Sequence, residues 1–349
     1  MTNLEASAVT PLTPWKATLN QRLFTVLLLA VAIALSYVVV AVTPMKGKLA
    51  YAFLFMLFSV GFQATHAGIK RGRTAAVDAI AGSIAVAGAV LVFTPVISLI
   101  FTTIIRGSKG LRVNTFTQTM EHAAMTDPIS QGGLLHSLIG TLYLILIATV
   151  ISLPLALLTA LYLTEIKGRA AGFIQFLVQA MSGVPSIVAG VFIYAALLLT
   201  TSLHGSTIMG ALPLAILMIP TVTRTAQEVL LLVPQDLREA GVALGATQWK
   251  TVATIVVPAA RSGLITAVIL GIARIAGETA PLLFTLGVSD KINWNPLNGG
   301  QSALPYYVWS GLGLGSPEAI QRAWTGILVL LMIVLVLFTA ARILGREKK

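Results

Sequence analysis

Residues 234–258 read PQDLREAGVALGATQWKTVATIVVP, a polar-and-apolar stretch set between long apolar runs. Val233, Leu237, Ala240 and Leu244 recur at helical spacing, with Gln235, Asp236, Arg238 and Glu239 on the opposite face. Pro234 is placed to open this helix and Gly245 to end it. A second stripe of Trp249, Val252, Ala253 and Val256 follows, with Pro258 as its expected stop. The spacing predicts two short amphipathic helices joined at a glycine. Such a pair cannot bury its apolar faces alone in water, so it needs a partner surface or the membrane interface.

The chain around that stretch is not a water-soluble globule. Of its 349 residues 56% are hydrophobic and 10% charged, with a mean hydropathy of +0.90. Soluble domains carry about 25% charged residues. Apolar runs at residues 23–42, 49–65, 77–105, 136–166, 173–199, 207–223, 263–287 and 323–344 approach or exceed the length of about 20 residues that spans a bilayer. They are continuous, not alternating, which excludes a transmembrane barrel. The expected fold is therefore all-α and polytopic, with about eight spans. No cysteine occurs, which removes disulfides, thiolate catalysis and Cys-ligated metal.

A formal charge of +11 also suits a nucleic-acid binder, but the cations lie in short loops beside apolar runs and read as topology. Both termini are expected inside, together with Lys16, Arg22, Lys70, Arg71, Arg73, Lys167, Arg169, Arg224, Arg238, Lys250, Arg261, Arg342, Arg346, Lys348 and Lys349. Lys46, Lys48, Arg106, Lys109, Arg112, Lys291 and Arg322 fall outside, a bias of roughly two to one in the expected direction. The first run is too long for a signal-peptide core and no small-x-small site precedes Pro44, so it reads as an anchor helix. Residues 1–73 then form a tail and an extra two-span hairpin, and residues 74–349 a six-span core with the inside loop 224–262.

Prolines interrupt several runs: Pro95, Pro154, Pro185, Pro213, Pro220 and Pro281. Membrane helices tolerate them because neighbouring helices satisfy the freed carbonyls. Trp294, Tyr306, Tyr307, Trp309 and Trp324 gather in and near 288–322, as an interfacial or re-entrant piece would, or an ordinary loop with an aromatic belt.

Arg274 and Glu278 lie inside the seventh run, four residues apart and so on one face if the helix is continuous. A mid-bilayer charge costs about 3 kcal/mol on insertion scales, so such residues face a partner or a water-filled path. Gly277 lies between them, and Pro281 removes a hydrogen bond to the Gly277 carbonyl, opening the helix beside the pair. An Arg–Glu pair also neutralises itself, which suits a structural role. Arg224, at the end of the sixth run, is either a second pathway cation or a topology anchor. His66, His122, His136 and His204 are scattered without metal spacing, and no catalytic triad, paired-carboxylate site or GxxxxGK[ST] phosphate loop occurs.

Two resemblances follow from these residues. Glu239-Ala240-Gly241, then Gly245, then Ile255-x-Val257-Pro258 is similar to the EAA loop of ABC-importer permeases, a coupling helix that docks into a groove on a separate ATPase. Gly241 stands where that family usually has alanine. Ala273-Arg274-Ile275-Ala276-Gly277-Glu278-Thr279-Ala280-Pro281-Leu282-Leu283-Phe284-Thr285 resembles the signature of PstA-type permeases of bacterial phosphate-specific ABC transporters. Ser182-Gly183-Val184-Pro185-Ser186-Ile187-Val188-Ala189-Gly190 resembles a stretch shared with the sister PstC-type permeases.

The resemblance covers about residues 77–345 and implies a type I importer fold in the bacterial plasma membrane. It implies a permease without enzyme activity, paired with a PstC-type permease, an ATPase dimer holding ATP and magnesium, and an extracytoplasmic phosphate-binding protein. It implies no cofactor on this chain and no nucleic-acid partner. Arg274, Glu278 and Arg224 would line the phosphate path, Gly277, Pro281 and Pro185 would distort the helices, and Glu239, Ala240, Gly241, Gly245, Trp249 and Pro258 would couple to the ATPase. A permease for sulfate or molybdate shares the loop but not the Gly277–Pro281 signature. A stand-alone secondary carrier would need no ATPase and would usually show inverted halves.

Overall fold

A computed structural model describes residues 19–43 and 47–344 of the chain. Lys16, Pro44, Lys46, Arg346, Lys348 and Lys349, and the tail before residue 19, lie outside the described residues. Among those described, every regular element is helical. Six helices are long and apolar enough to cross a membrane, and the number rises to 8 if each of two bent helix pairs is one span.

The chain forms two compact units, residues 1–99 and 100–349. The first holds α1 (Leu19–Val42), α2 (Lys48–Arg71) and most of α3 (Arg73–Ser108). Ala32, Ser36 and Val40 recur every fourth residue along α1 and are buried, as are Leu54 and Ser59 of α2. Small residues at this spacing let two membrane helices approach closely, where packing rather than water drives association. Gly72 alone separates α2 from α3, with φ +86.

The second unit is built on α5 (Leu135–Leu161, extended by a π turn over Tyr162–Ile166) and α8 (Thr207–Leu231). Ala148 and Ala156 of α5 and Ala211 and Ala215 of α8 are buried in one cluster with Met218, Val222 and Ile275. Thr223 Oγ1 donates across the seam to the Ala156 carbonyl at 3.2 Å. α12 (Arg261–Ala276) lies antiparallel to α8, because Gly263 sits against Val229 and Gly271 against Val222.

Four expectations change. The run 173–199 is not one helix but α6 (Ala171–Ser182) and α7 (Ser186–Ile193, extended by a π turn over Tyr194–Leu198), bent by 103°. Pro185 lacks an N–H and disfavours helical geometry at Val184, so the ladder stops at Gly183 and restarts. The run 263–287 ends as a helix at Ala276, resuming only in α13 (Leu282–Thr285). The run 207–223 continues to Leu231, leaving Arg224 within α8 rather than at its end. Pro258 does not stop its helix. A π turn over Val252–Val256 bonds Val257 N to the Val252 carbonyl, shifting the ladder where proline would break it, and α11 (Val257–Ala259) carries on. The bend comes at Ala260, by 73°.

The aromatic-rich segment contains α14 (Leu304–Leu314), packed on α15 (Pro317–Leu344) with Tyr307 buried and Trp294 and Trp309 exposed. Arg322, expected in a loop, is 4% exposed on α15. Its Nη2 donates to the carbonyls of Asp127 (3.2 Å), Pro128 (2.9 Å) and Gln131 (2.7 Å). Asn114 of α4 (Val113–Thr117) donates to Ile129 and Gly132 carbonyls, so one loop is held from both sides. Arg322→Met should leave these carbonyls without their cationic donor and lower unfolding stability in detergent by about 3 kcal/mol. Thermal unfolding, with protease cleavage mapped within 118–133, checks it.

Candidate functional site

Between α8 and α12 the loop folds into an elbow of α9 (Gln235–Ala243), α10 (Gln248–Thr251), the π turn and α11. The two predicted helices and their glycine joint are present, with Gly245 at φ +83, a left-handed turn that glycine adopts without penalty. Pro234 precedes α9 in extended geometry and so sets its start. Thr247 accepts a hydrogen bond from Lys250 N and caps the second helix.

The faces differ from the expected division. Val233 is buried, but Leu237, Ala240 and Leu244 of the same stripe are open, Leu244 by 88%. Arg238, expected on the solvated face, turns toward the bundle instead. Its Nε and Nη2 meet Glu165 Oε2 and Oε1 at 3.0 and 2.9 Å, and the guanidinium also donates to the Leu230 and Val233 carbonyls. Glu165 lies in the π turn ending α5, and its backbone carbonyl accepts from Gln248 Nε2 at 2.6 Å. The Glu165 hydrogen bonds hold the Arg238 guanidinium still further above its ordinary pKa. A bidentate pair at 6% and 18% side-chain exposure is a fixed strut, unlike an exposed ion pair.

Gly241, the departure from the usual alanine, has a steric cause. It is buried, and a Cβ there would stand 2.7 Å from Thr251 Cγ2 and 2.8 Å from Thr251 Oγ1. The glycine lets α9 lie directly on the second helix. An open groove of about 920 Å³ runs between this elbow and the α5 end, lined by Glu165, Lys167, Arg238, Glu239 and Leu232. Glu239, Gly245, Trp249 and Pro258 are all exposed, Trp249 by 59%. The elbow thus presents an apolar, partnerless face on a braced support.

The other predicted residues meet at the helix breaks. Gly190 of α7 packs on the Cα and carbonyl of Pro281 with no space for a Cβ, and the Tyr194 and Phe284 rings follow at 6.3 Å. The break at 183–185 and the break at 277–281 are thereby brought together. Arg274 and Glu278 are not an ion pair. α12 ends at Ala276, Gly277 caps it, and Glu278 N bonds back to the Ile275 carbonyl at 3.2 Å, so the two residues leave the shared face that a continuous helix would give them. Arg274 is exposed on the chain, without an ion-pair or hydrogen-bond partner among the described residues, while Glu278 is half-buried. Arg224 is exposed on α8. With Gly271 facing Val222 in antiparallel register, it lies on the elbow side of that contact and Arg274 on the opposite side.

Reading by residue type missed Glu165 and Gln248. Its one available signal was a lone carboxylate closing the otherwise apolar run 136–166.

Glu165→Gln keeps the shape but removes the counter-charge of Arg238. It should free α9 by about 2 kcal/mol, read as roughly thirtyfold faster amide exchange over residues 235–243. For Gly241→Ala, overpacking costs about 1–3 kcal/mol and outweighs a helix-propensity gain of about 1 kcal/mol, so the elbow should loosen. Adding Thr251→Ala should restore it, since Thr251 Oγ1 is buried without a hydrogen-bond partner. Exchange over residues 241–251 in the single and double variants checks this.

Residues 152–349 match the family described as binding-protein-dependent transport system inner membrane component. Over 254 residues the chain is 38% identical to the phosphate transport system permease protein PstA of Haemophilus influenzae, an alignment covering 72% of this chain and 87% of that one. Over 211 residues it is 40% identical to the phosphate transport system permease protein PstA 1 of Mycobacterium tuberculosis, covering 60% of this chain and 69% of the relative. A solved structure of inward-facing conformations of the MetNI methionine ABC transporter aligns with 61% of this chain and 93% of its own, at 20% identity and a TM-score of 0.49. The matched segment takes in both helix breaks and the elbow, and the chain belongs to the inner membrane components of binding-protein-dependent transport systems, among them the PstA-type permeases.

Proposed function

We propose that this chain is the transmembrane permease subunit of an ATP-driven inorganic phosphate importer, working beside a PstC-type permease. On this reading an ATPase dimer carries the ATP and magnesium, an extracytoplasmic binding protein delivers phosphate, and both termini and the elbow face the cytoplasm of a bacterial cell. The relatives named as phosphate permeases support the substrate.

The observation that carries the mechanism is the continuity of the elbow with α12. α11 turns by 73° at Ala260 directly into α12, whose far end holds Arg274 and the Gly277–Pro281 break. The apolar face of Leu237, Ala240, Leu244 and Trp249 takes the ATPase surface, with Glu239 as its polar contact. Because the Glu165–Arg238 strut fixes α9 against α5, a push on that face moves the α5, α8 and α12 ends together rather than bending a loop. Motion reaching the break acts where few ladder hydrogen bonds resist it, and Pro185 and Gly190 pass it to α7.

Arg274 is the pathway cation. Its guanidinium offers bidentate donors to phosphate oxygens and no acceptor that repels them. It is held by no carboxylate within 4.0 Å among the described residues, so it meets the anion unpaired. Glu278, half-buried beyond the helix end, adds a negative charge at the same helix break, which weakens anion binding and keeps release fast. Arg224, further along α8, is a second cation toward the elbow side.

Arg274→Gln in the assembled complex should lower ATP-dependent uptake of labelled phosphate by about a hundredfold while the subunits still copurify. Uptake at the wild-type rate by a fully assembled variant, or uptake of sulfate in preference to phosphate by the parent complex, would overturn the assignment.

A further inference from the structure

At one end of the first unit, α1, α2 and α3 line a pocket of about 690 Å³ that contains none of the residues proposed for transport. Phe24, His66, Ala67, Lys70, Ala75 and Asp78 line it, with Arg71 beside Lys70. The Phe24 and His66 rings lie 4.3 Å apart, tilted by 34°, and Lys70 Nζ stands 5.7 Å above the Phe24 ring, so the ammonium is held over an aromatic shelf. Arg22 and Arg73 flank the lining residues in sequence and are exposed. None of these four cations has an ion-pair partner within 4.0 Å among the described residues.

The placement selects the occupant. Lys70 and Arg71 close the last turn of α2, and Arg73 opens α3, both helices long and apolar enough to cross a membrane. The cluster therefore lies at headgroup depth, with the walls formed by Phe24, Ala67, Ala75 and Ala79 continuing toward the hydrocarbon. Free phosphate would satisfy the cations but leave the apolar walls and most of the volume to water. A phospholipid satisfies both. With Lys70 and Arg71 set against Asp78 the lining is net positive, and Arg22 and Arg73 raise that further, which favours a headgroup of net negative charge. Asp78 repels a bare phosphate but accepts a hydrogen bond from a headgroup hydroxyl.

We propose that this pocket binds an anionic, hydroxyl-bearing phospholipid headgroup, phosphatidylglycerol in type, through Lys70 and Arg71 over the Phe24–His66 shelf. The lipid fastens the extra hairpin to α3 within the first unit.

The test uses the full-length chain in its assembled complex, with phosphatidylglycerol, phosphatidylethanolamine, phosphatidylcholine and inorganic phosphate as probes, retention being read by native mass spectrometry. Phosphatidylglycerol should be retained over the two zwitterionic lipids. The paired variant Lys70→Gln and Arg71→Gln should weaken retention by about 25-fold, roughly fivefold per cation. Since those cations also guide topology, Phe24→Ala is the second variant: it leaves every charge in place and should weaken retention too. Wild-type retention in both variants, preference for phosphatidylethanolamine, or displacement of the lipid by inorganic phosphate would each overturn the proposal. None of these outcomes bears on Arg274 or on uptake.

Discussion

The close contact of Gly190 with Pro281 is the constraint on which the rest of the second unit turns. In hydrocarbon every backbone donor and acceptor must be satisfied by protein, so two interrupted helices are stable only where something covers the interruptions. Here each break covers the other. Pro185 and Pro281 remove ladder hydrogen bonds, Gly183 and Gly277 end the helices before them, and the absence of a side chain at Gly190 lets the two backbones meet. Any side chain at residue 190 would meet the Pro281 Cα and carbonyl and force the two backbones apart.

The helices around that junction are closely packed. α5 and α8 pack through buried alanines, and α12 lies on α8 through Gly263 and Gly271. At the other end of α12 the elbow is braced by a bidentate Arg238–Glu165 pair that also caps the Leu230 and Val233 carbonyls at the end of α8. On the proposed reading, a rigid lever between a braced apolar elbow and the break at residues 277–281 is what would convert docking force into pathway opening.

Much of this was legible in residue order. Apolar runs of bilayer length announced the helices, and Pro234, Gly245 and the spacing of Leu237, Ala240 and Leu244 announced the elbow. The four-residue spacing of Arg274 and Glu278 suggested a shared helical face that the structure does not have. Spacing of four residues implies one face only on an unbroken helix, and the carbonyl of Ile275 instead bonds Glu278 N in a turn. The run 173–199 looked continuous because its one proline and two glycines are few among many apolar residues, and hydropathy does not register a change of direction. Pro258 was read as a stop because the widened π turn that accommodates it has no signature in composition.

Sequence alone determined that the chain is helical and membrane-spanning, which segments are polar, and which cations lie in apolar surroundings. Those properties follow from local composition and period, and each residue carries them wherever it is placed. Tertiary structure decided that Arg238 belongs to Glu165, that Gly241 is glycine because Thr251 lies against it, and that breaks near residues 184 and 279 meet at Gly190. Each is a contact between residues far apart in the chain, and its strength comes from desolvation and shape at a place that only packing creates.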